Sequence, residues 1–169
     1  AVVAQGEDKG YSALFLLAAN PGGLQLLIED AELWSKITDQ GLNAVIAKGS
    51  HIGTSALLYL AGHTEYVRKK LINDGVLQDK ITAEGLNTAI PEGENKGRSP
   101  LYYFSYEAKG RQLLKSNADL RGKITAEGLN AVVAQGEDKG YSALFLLAAN
   151  PGGLQLLIED AELWSKITD

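Results

Sequence analysis

The chain repeats itself, and no other feature of it narrows the range of folds as far. Residues 1–39, from Ala1-Val2-Val3 to Ile37-Thr38-Asp39, recur unchanged as residues 131–169, so the 169 residues are 130 plus a 39-residue copy. A shorter, more divergent period lies within the 130. Lys-Ile-Thr-x-x-Gly-Leu-Asn stands at Lys36 to Asn43, Lys80 to Asn87 and Lys123 to Asn130, and its first three residues return at Lys166, Ile167 and Thr168. Gly-x-Ser-[Ala/Pro]-Leu begins at Gly10, Gly53, Gly97 and Gly140, spaced by 43, 44 and 43. The two markers agree on the unit length and put the single extra residue of the second unit between Gly53 and Lys80. A fixed period of this size means stacked supersecondary units, none of which can bury its apolar face alone.

Each unit reads as three short helices. The first begins at Thr38, Thr82 or Thr125, whose hydroxyl can accept a hydrogen bond from a free N–H of the first turn. Ile37, Ile81 and Ile124 before these caps and Leu42, Leu86 and Leu129 within the helix form a hydrophobic staple. Leu42, Val45 and Ile46 have the spacing of a buried helical face, and Gly49 is placed to stop the helix. Pro91 is expected to end the corresponding helix early in the third unit. After a polar turn the second helix opens at Ser12, Ser55, Ser99 or Ser142, with Pro100 at the first helical position behind Ser99. Leu14, Phe15, Leu16 and Leu17 make this helix apolar nearly all round, which places it in the interior of the stack. Asn20-Pro21-Gly22-Gly23 breaks the chain, and the third helix is expected from about Leu24 to Trp34. No segment alternates strongly at period two, so the expected class is all-α. The arrangement expected is one elongated domain over 1–169, an α-solenoid of about four units: a partial one at 1–36, then 37–80, 81–123 and 124–166, with 167–169 starting the next.

These residues resemble the ankyrin repeat. Glu94-Asn95-Lys96-Gly97-Arg98-Ser99-Pro100-Leu101-Tyr102 is similar to that family's turn followed by Thr-Pro-Leu-His. Gly62-His63-Thr64-Glu65, then Val67 and Leu71-Ile72, is similar to its Gly-His-x-x-x-Val-x-x-Leu-Leu helix, and Asn117-Ala118-Asp119-Leu120 to its Gly-Ala-Asp-Val end. The resemblance implies stacked helix pairs. Ankyrin units run to about 33 residues; the extra residues here carry the Ile-Thr-x-x-Gly-Leu-Asn helix at the place of the family's β-hairpin finger. The family's His is replaced by Phe15, Leu58, Tyr102 and Phe145. Armadillo repeats have a similar period, but none of their residue pattern is present.

Composition removes several classes of function. With 16 basic and 21 acidic residues the formal net charge is -5, which disfavours nucleic acid and an anionic membrane surface. No apolar run approaches the roughly 20 residues of a membrane helix, and no signal peptide is evident, so a soluble chain is expected. Zero Cys removes disulfides and thiolate chemistry, and with zero Met a trimmed or longer array is expected. Asp169 matches Asp39, where other units have Ala83 and Ala126, so the long copy is still in register where the sequence stops. Ser12 lacks the second Gly of a nucleophile elbow and reads as a helix cap. His51 reads as a turn residue, His63 as a structural one. The Glu-Asp-Lys-Gly turns have too few ordered oxygens for a calcium loop, and Gly22-Gly23 lacks the lysine of a phosphate loop. No enzyme, cofactor or metal is expected.

Positions that are the same in every unit read as scaffold, and those that differ are free to carry recognition. The latter are Asp8, His51, Asn95 and Asp138 in the turn, Tyr11, Thr54, Arg98 and Tyr141 before the cap, and Leu16, Tyr59, Tyr103 and Leu146 in the second helix. The aromatic run Tyr102, Tyr103, Phe104 and Tyr106 cannot point inward as a whole, so some rings should show at the surface. Trp34 and Trp164, one position copied, should fill joints between units. Two functions follow. One is a non-catalytic scaffold binding a protein partner through a strip of turn and second-helix residues, with Tyr11, His51, Thr54, Tyr59, Asn95, Arg98, Tyr103 and Tyr141 as candidates. The other is an engineered or recently duplicated array whose role is stacking or end-to-end self-association.

Overall fold

The computed structural model describes residues 10–167. Asp8, Thr168 and Asp169 lie outside them. The described residues are all-helical, joined by turns. The first repeat holds α1 (Ala13–Ala19), α2 (Pro21–Glu29) and α3 (Ala31–Ser35); the second, α4 (Asp39–Asn43), α5 (Ala56–Gly62), α6 (Glu65–Asn73) and α7 (Gly75–Asp79). The third holds α8 (Ala83–Asn87), α9 (Pro100–Tyr106), α10 (Ala108–Ser116) and α11 (Ala118–Gly122); the fourth, α12 (Ala126–Asn130), α13 (Ala143–Ala148), α14 (Pro151–Glu159) and α15 (Ala161–Ser165). The chain divides into two compact units, Ala1–Gly85 and Leu86–Asp169. In the first, α1 packs on α2, α4 and α5, and α5 on α6; in the second, α9 packs on α10, α12 and α13, and α10 on α14.

The caps form where the hydroxyls stand. Ser12, Ser55, Ser99 and Ser142 accept the N–H of Phe15, Leu58, Tyr102 and Phe145 at 2.9 to 3.1 Å. Thr38, Thr82 and Thr125 accept from Gly41, Gly85 and Gly128 at 3.0 to 3.1 Å. Each such bond satisfies a donor that the helix itself leaves free.

A complete repeat has four helices, one more than expected. The span expected as one helix from Leu24 to Trp34 begins earlier, at Pro21 behind the Asn20 cap, and breaks at Asp30. Asp30 is extended, and its Oδ1 accepts the Leu33 N–H, so the chain restarts as α3. Asp74, Asn117 and Asp160 do the same. The first helix of the unit is shorter than its apolar spacing implied, ending at Asn43, Asn87 and Asn130. Val45 and Ile46 are not helical. Ile46 N–H donates to Thr54 O and Gly53 N–H to Ile46 O, both at 2.9 Å, which closes a hairpin turn. The same pairs form between Ile90 and Arg98 or Gly97, and between Val133 and Tyr141 or Gly140, where Val132 and Ser142 make an isolated antiparallel bridge. The extra helix therefore precedes a hairpin instead of replacing it. Pro91 falls in that hairpin, so α8 is as long as α4 and α12.

The extra residue of the second repeat sits in the turn between α5 and α6, where His63 and Thr64 stand in place of the single Asn20 or Glu107. The neighbouring helix carries a matching change. Gly23, Gly110 and Gly153 pass so close to the preceding helix that a Cβ would lie 2.8 Å from Leu17 O, 2.2 Å from Phe104 O and 2.5 Å from Leu147 O. In the second repeat this position is Val67, and it is buried.

The interior of α5 and α9 is as expected: Leu57, Leu58 and Leu60 are buried in one, Leu101, Tyr102 and Phe104 in the other. Burying each such side chain stabilises by about 1.5–3 kcal/mol. α1 and α13 differ, since Leu16 and Phe145 are exposed.

Candidate binding edge and the joints between repeats

The Gly and Asn of Ile-Thr-x-x-Gly-Leu-Asn meet across adjacent repeats. Asn43 Nδ2 donates to Asp39 O in its own helix and to Lys80 O at the end of its repeat, both at 2.7 Å, and its Oδ1 accepts the N–H of Thr82 in the next repeat at 2.9 Å. In the second unit Asn87 donates to Lys123 O at 2.7 Å and accepts from Thr125 N–H at 3.0 Å, and Asn130 donates to Lys166 O at 3.0 Å. The clasp works only because the facing residue has no side chain. A Cβ on Gly85 would lie 2.1 Å from Asn43 Oδ1, and one on Gly128 2.2 Å from Asn87 Oδ1.

A second contact joins the ends of the repeats. Trp34 Nε1 donates to Asp74 Oδ2 at 2.7 Å, while Asp74 Oδ1 caps α7. Lys70 Nζ lies 4.5 Å from the centroid of the Trp34 ring, a cation–π contact, and donates to Ile28 O. At the matching position Arg121 Nε donates to Asp160 Oδ2 at 2.5 Å, and Asp160 Oδ1 caps α15. The Asp160 carboxyl is held below its ordinary value by the Leu163 N–H and by Arg121, against the opposing effect of burial. Trp34 fills a joint as expected. Trp164 does not: it is exposed, because no repeat packs beyond it among the described residues.

The candidate recognition residues come together where the hairpins meet the second helices, and they form a cluster in each unit. In the first, Phe15 makes edge contacts with Tyr11, His51 and Tyr59 at 5.3 to 5.5 Å between centroids, and Tyr59 Oη lies 3.4 Å from His51 Nδ1. Burial, and then the neighbouring Tyr11, raises the Tyr59 phenol above its ordinary value. In the second, Arg98 donates to Asn95 Oδ1 at 3.0 Å and to Asp138 Oδ2 at 3.3 Å. Tyr103 and Tyr141 pack against the buried Tyr102, Val133 and Leu146. Burial and the Asp138 carboxylate push the Tyr102 phenol up. Thr54 is the exception among the candidates: it is buried, and its Oγ1 donates to His51 O at 2.5 Å, so it holds the hairpin. Arg98, too, is a brace as much as a probe. Of the aromatic run, Tyr102 and Phe104 are buried, Tyr103 is half-buried and Tyr106 exposed.

Among the described residues Ser12 Oγ takes part only in its cap and in a 3.3 Å bond to Gly41 O. Exposed His63 lines a cavity of about 360 Å³ between α2 and α6, with Leu24, Ile28, Glu29, Tyr66 and Val67. Among the described residues no three His, Asp or Glu side chains group as a metal site, and no helix is long and apolar enough to cross a membrane. No family model, curated protein or solved structure matches this chain.

Proposed function

We propose that the chain is a non-catalytic scaffold of ankyrin-like helical repeats that binds another protein along the edge where hairpin turns meet second helices. The observation that carries this reading is the convergence of the variable positions. Residues far apart in sequence, Asn95, Arg98 and Tyr103 with Asp138 and Tyr141, form one half-exposed patch of aromatic edges and polar groups. That mixture suits protein recognition, because Tyr offers a large rigid surface with a wet hydroxyl and Arg offers a planar fork of donors. The kept Gly, Asn, Ser and Thr are fully used as caps and clasps and leave the edge free to vary.

The test is the partner affinity of Asn95→Ala and Tyr103→Ser chains. The expected result is about a tenfold or greater loss, the scale of a hot-spot truncation, with the helical signal unchanged. Full affinity in both variants would remove this edge as the binding surface.

A further inference from the structure

The two identical segments bury opposite faces. In the first copy Phe15, Leu24 and Trp34 are 1%, 2% and 6% exposed, because the second repeat covers them. Their counterparts in the last copy, Phe145, Leu154 and Trp164, are 45%, 43% and 57% exposed. The other face behaves inversely. Leu146 and Leu156 are 6% and 3% exposed against the third repeat, whereas their counterparts Leu16 and Leu26 are 59% and 53% exposed. Each end of the chain thus presents the half of the same surface that the other end hides.

The joint between the first two repeats and the joint between the last two obey one rule of fit. The aromatic residue after Ser-[Ala/Pro]-Leu meets the residue one place further on in the next repeat, Phe15 on Tyr59 and Tyr102 with Leu146. The fourth residue of the last helix reaches the second carboxylate oxygen of the next capping Asp, Trp34 to Asp74 and Arg121 to Asp160. Continued past the last repeat, this rule sets Phe145 on Leu16 and Trp164 Nε1 on Asp30. All four are exposed. Asp30 Oδ1 caps Leu33, and neither its Oδ2 nor Trp164 Nε1 has a partner among the described residues.

We infer that a second copy of this chain docks here, the Phe145–Trp164 face of one molecule seating on the Leu16–Asp30 face of the next. The two faces are different surfaces, so the contact is heterologous and propagates into linear oligomers unless its rotation closes a ring. This surface borders the hairpin edge, where Tyr141 stacks on Phe145 at 4.4 Å between centroids, but Tyr103 packs with Tyr102, Val133 and Leu146 instead, and Tyr103→Ser leaves the docking face intact.

Light scattering of the full chain across a hundredfold concentration range tests the inference. The mass should rise with concentration past the dimer. Leu16→Asp and Trp164→Ala, both at exposed positions, should each stay monomeric alone, because each blocks one end. Mixed together they should give a one-to-one heterodimer, since each supplies the face that the other lacks. A concentration-independent monomer of the unaltered chain would overturn the inference. So would association that survives either substitution, which would mean that like ends pair or that another surface is used.

Discussion

Trp34 and Arg121 hold the same position in their repeats, and each reaches the Asp that caps the last helix of the following repeat, Asp74 and Asp160. The geometry is shared and the chemistry is not. In the first unit the contact is a buried indole, with one hydrogen bond, beneath the Lys70 ammonium. In the second it is a guanidinium on a carboxylate with about a fifth of each side chain still exposed. An indole stabilises chiefly through apolar area, which salt hardly alters, whereas a partly wet ion pair is screened and titrates. The difference teaches that a stacking position specifies where a side chain must reach, and leaves open how it is held there.

Three experiments should separate the joints. Trp34→Ala should have the largest effect, about 3–5 kcal/mol lost in urea unfolding, the cost of emptying a buried aromatic site. Trp164→Ala, with the same local sequence, should change the stability of the monomer by under about 0.5 kcal/mol. Next come Gly85→Ala and Gly128→Ala. Each drives a methyl into the clasp Asn, and each should cost about 1–3 kcal/mol, the same in both units, because this contact is common to them. Unequal costs would show that the clasp is tighter in one joint. Among the joint contacts the smallest effect belongs to Arg121→Ala, at about 1 kcal/mol in low salt and less in high salt. Asp160 titrates below its ordinary value when folded, so its contribution is present above the unfolded value of 3.8 and fades as pH falls through the folded one. Arg121→Ala should flatten that acid limb, and Trp34→Ala should leave it alone.

Much of this architecture was legible because capping is local. Thr38 and Ser12 announce helix starts from a few residues of context, and both cap as read. The break at Asp30 was equally local and could have been read, since Asp, Asp, Asn and Asp recur there three residues before Leu33, Leu77, Leu120 and Leu163. Apolar spacing misled at Leu42, Val45 and Ile46, because a hairpin can bury the same residues that a longer helix would. The reason for the kept Gly and Asn was not legible, as it lies in contacts 37 to 39 residues away. Nor was the fate of Trp164, where an identical sequence meets a different neighbour. The candidate edge was found from variation between units, but that signal does not distinguish a brace such as Arg98 or Thr54 from an exposed contact such as Asn95.

The second repeat's longer turn and its Val67 have a consequence for the history of the array. Where the segment from the capping Ser to this place lacks the extra residue, a side chain here collides with the backbone of the helix before it; in the second repeat, which has it, valine is buried. The insertion and the valine are thus an epistatic pair: the longer turn has to precede the valine or arrive with it. Gly110→Val alone should be poorly tolerated, while the same change with one residue added after Glu107 restores a combination that the second repeat already uses.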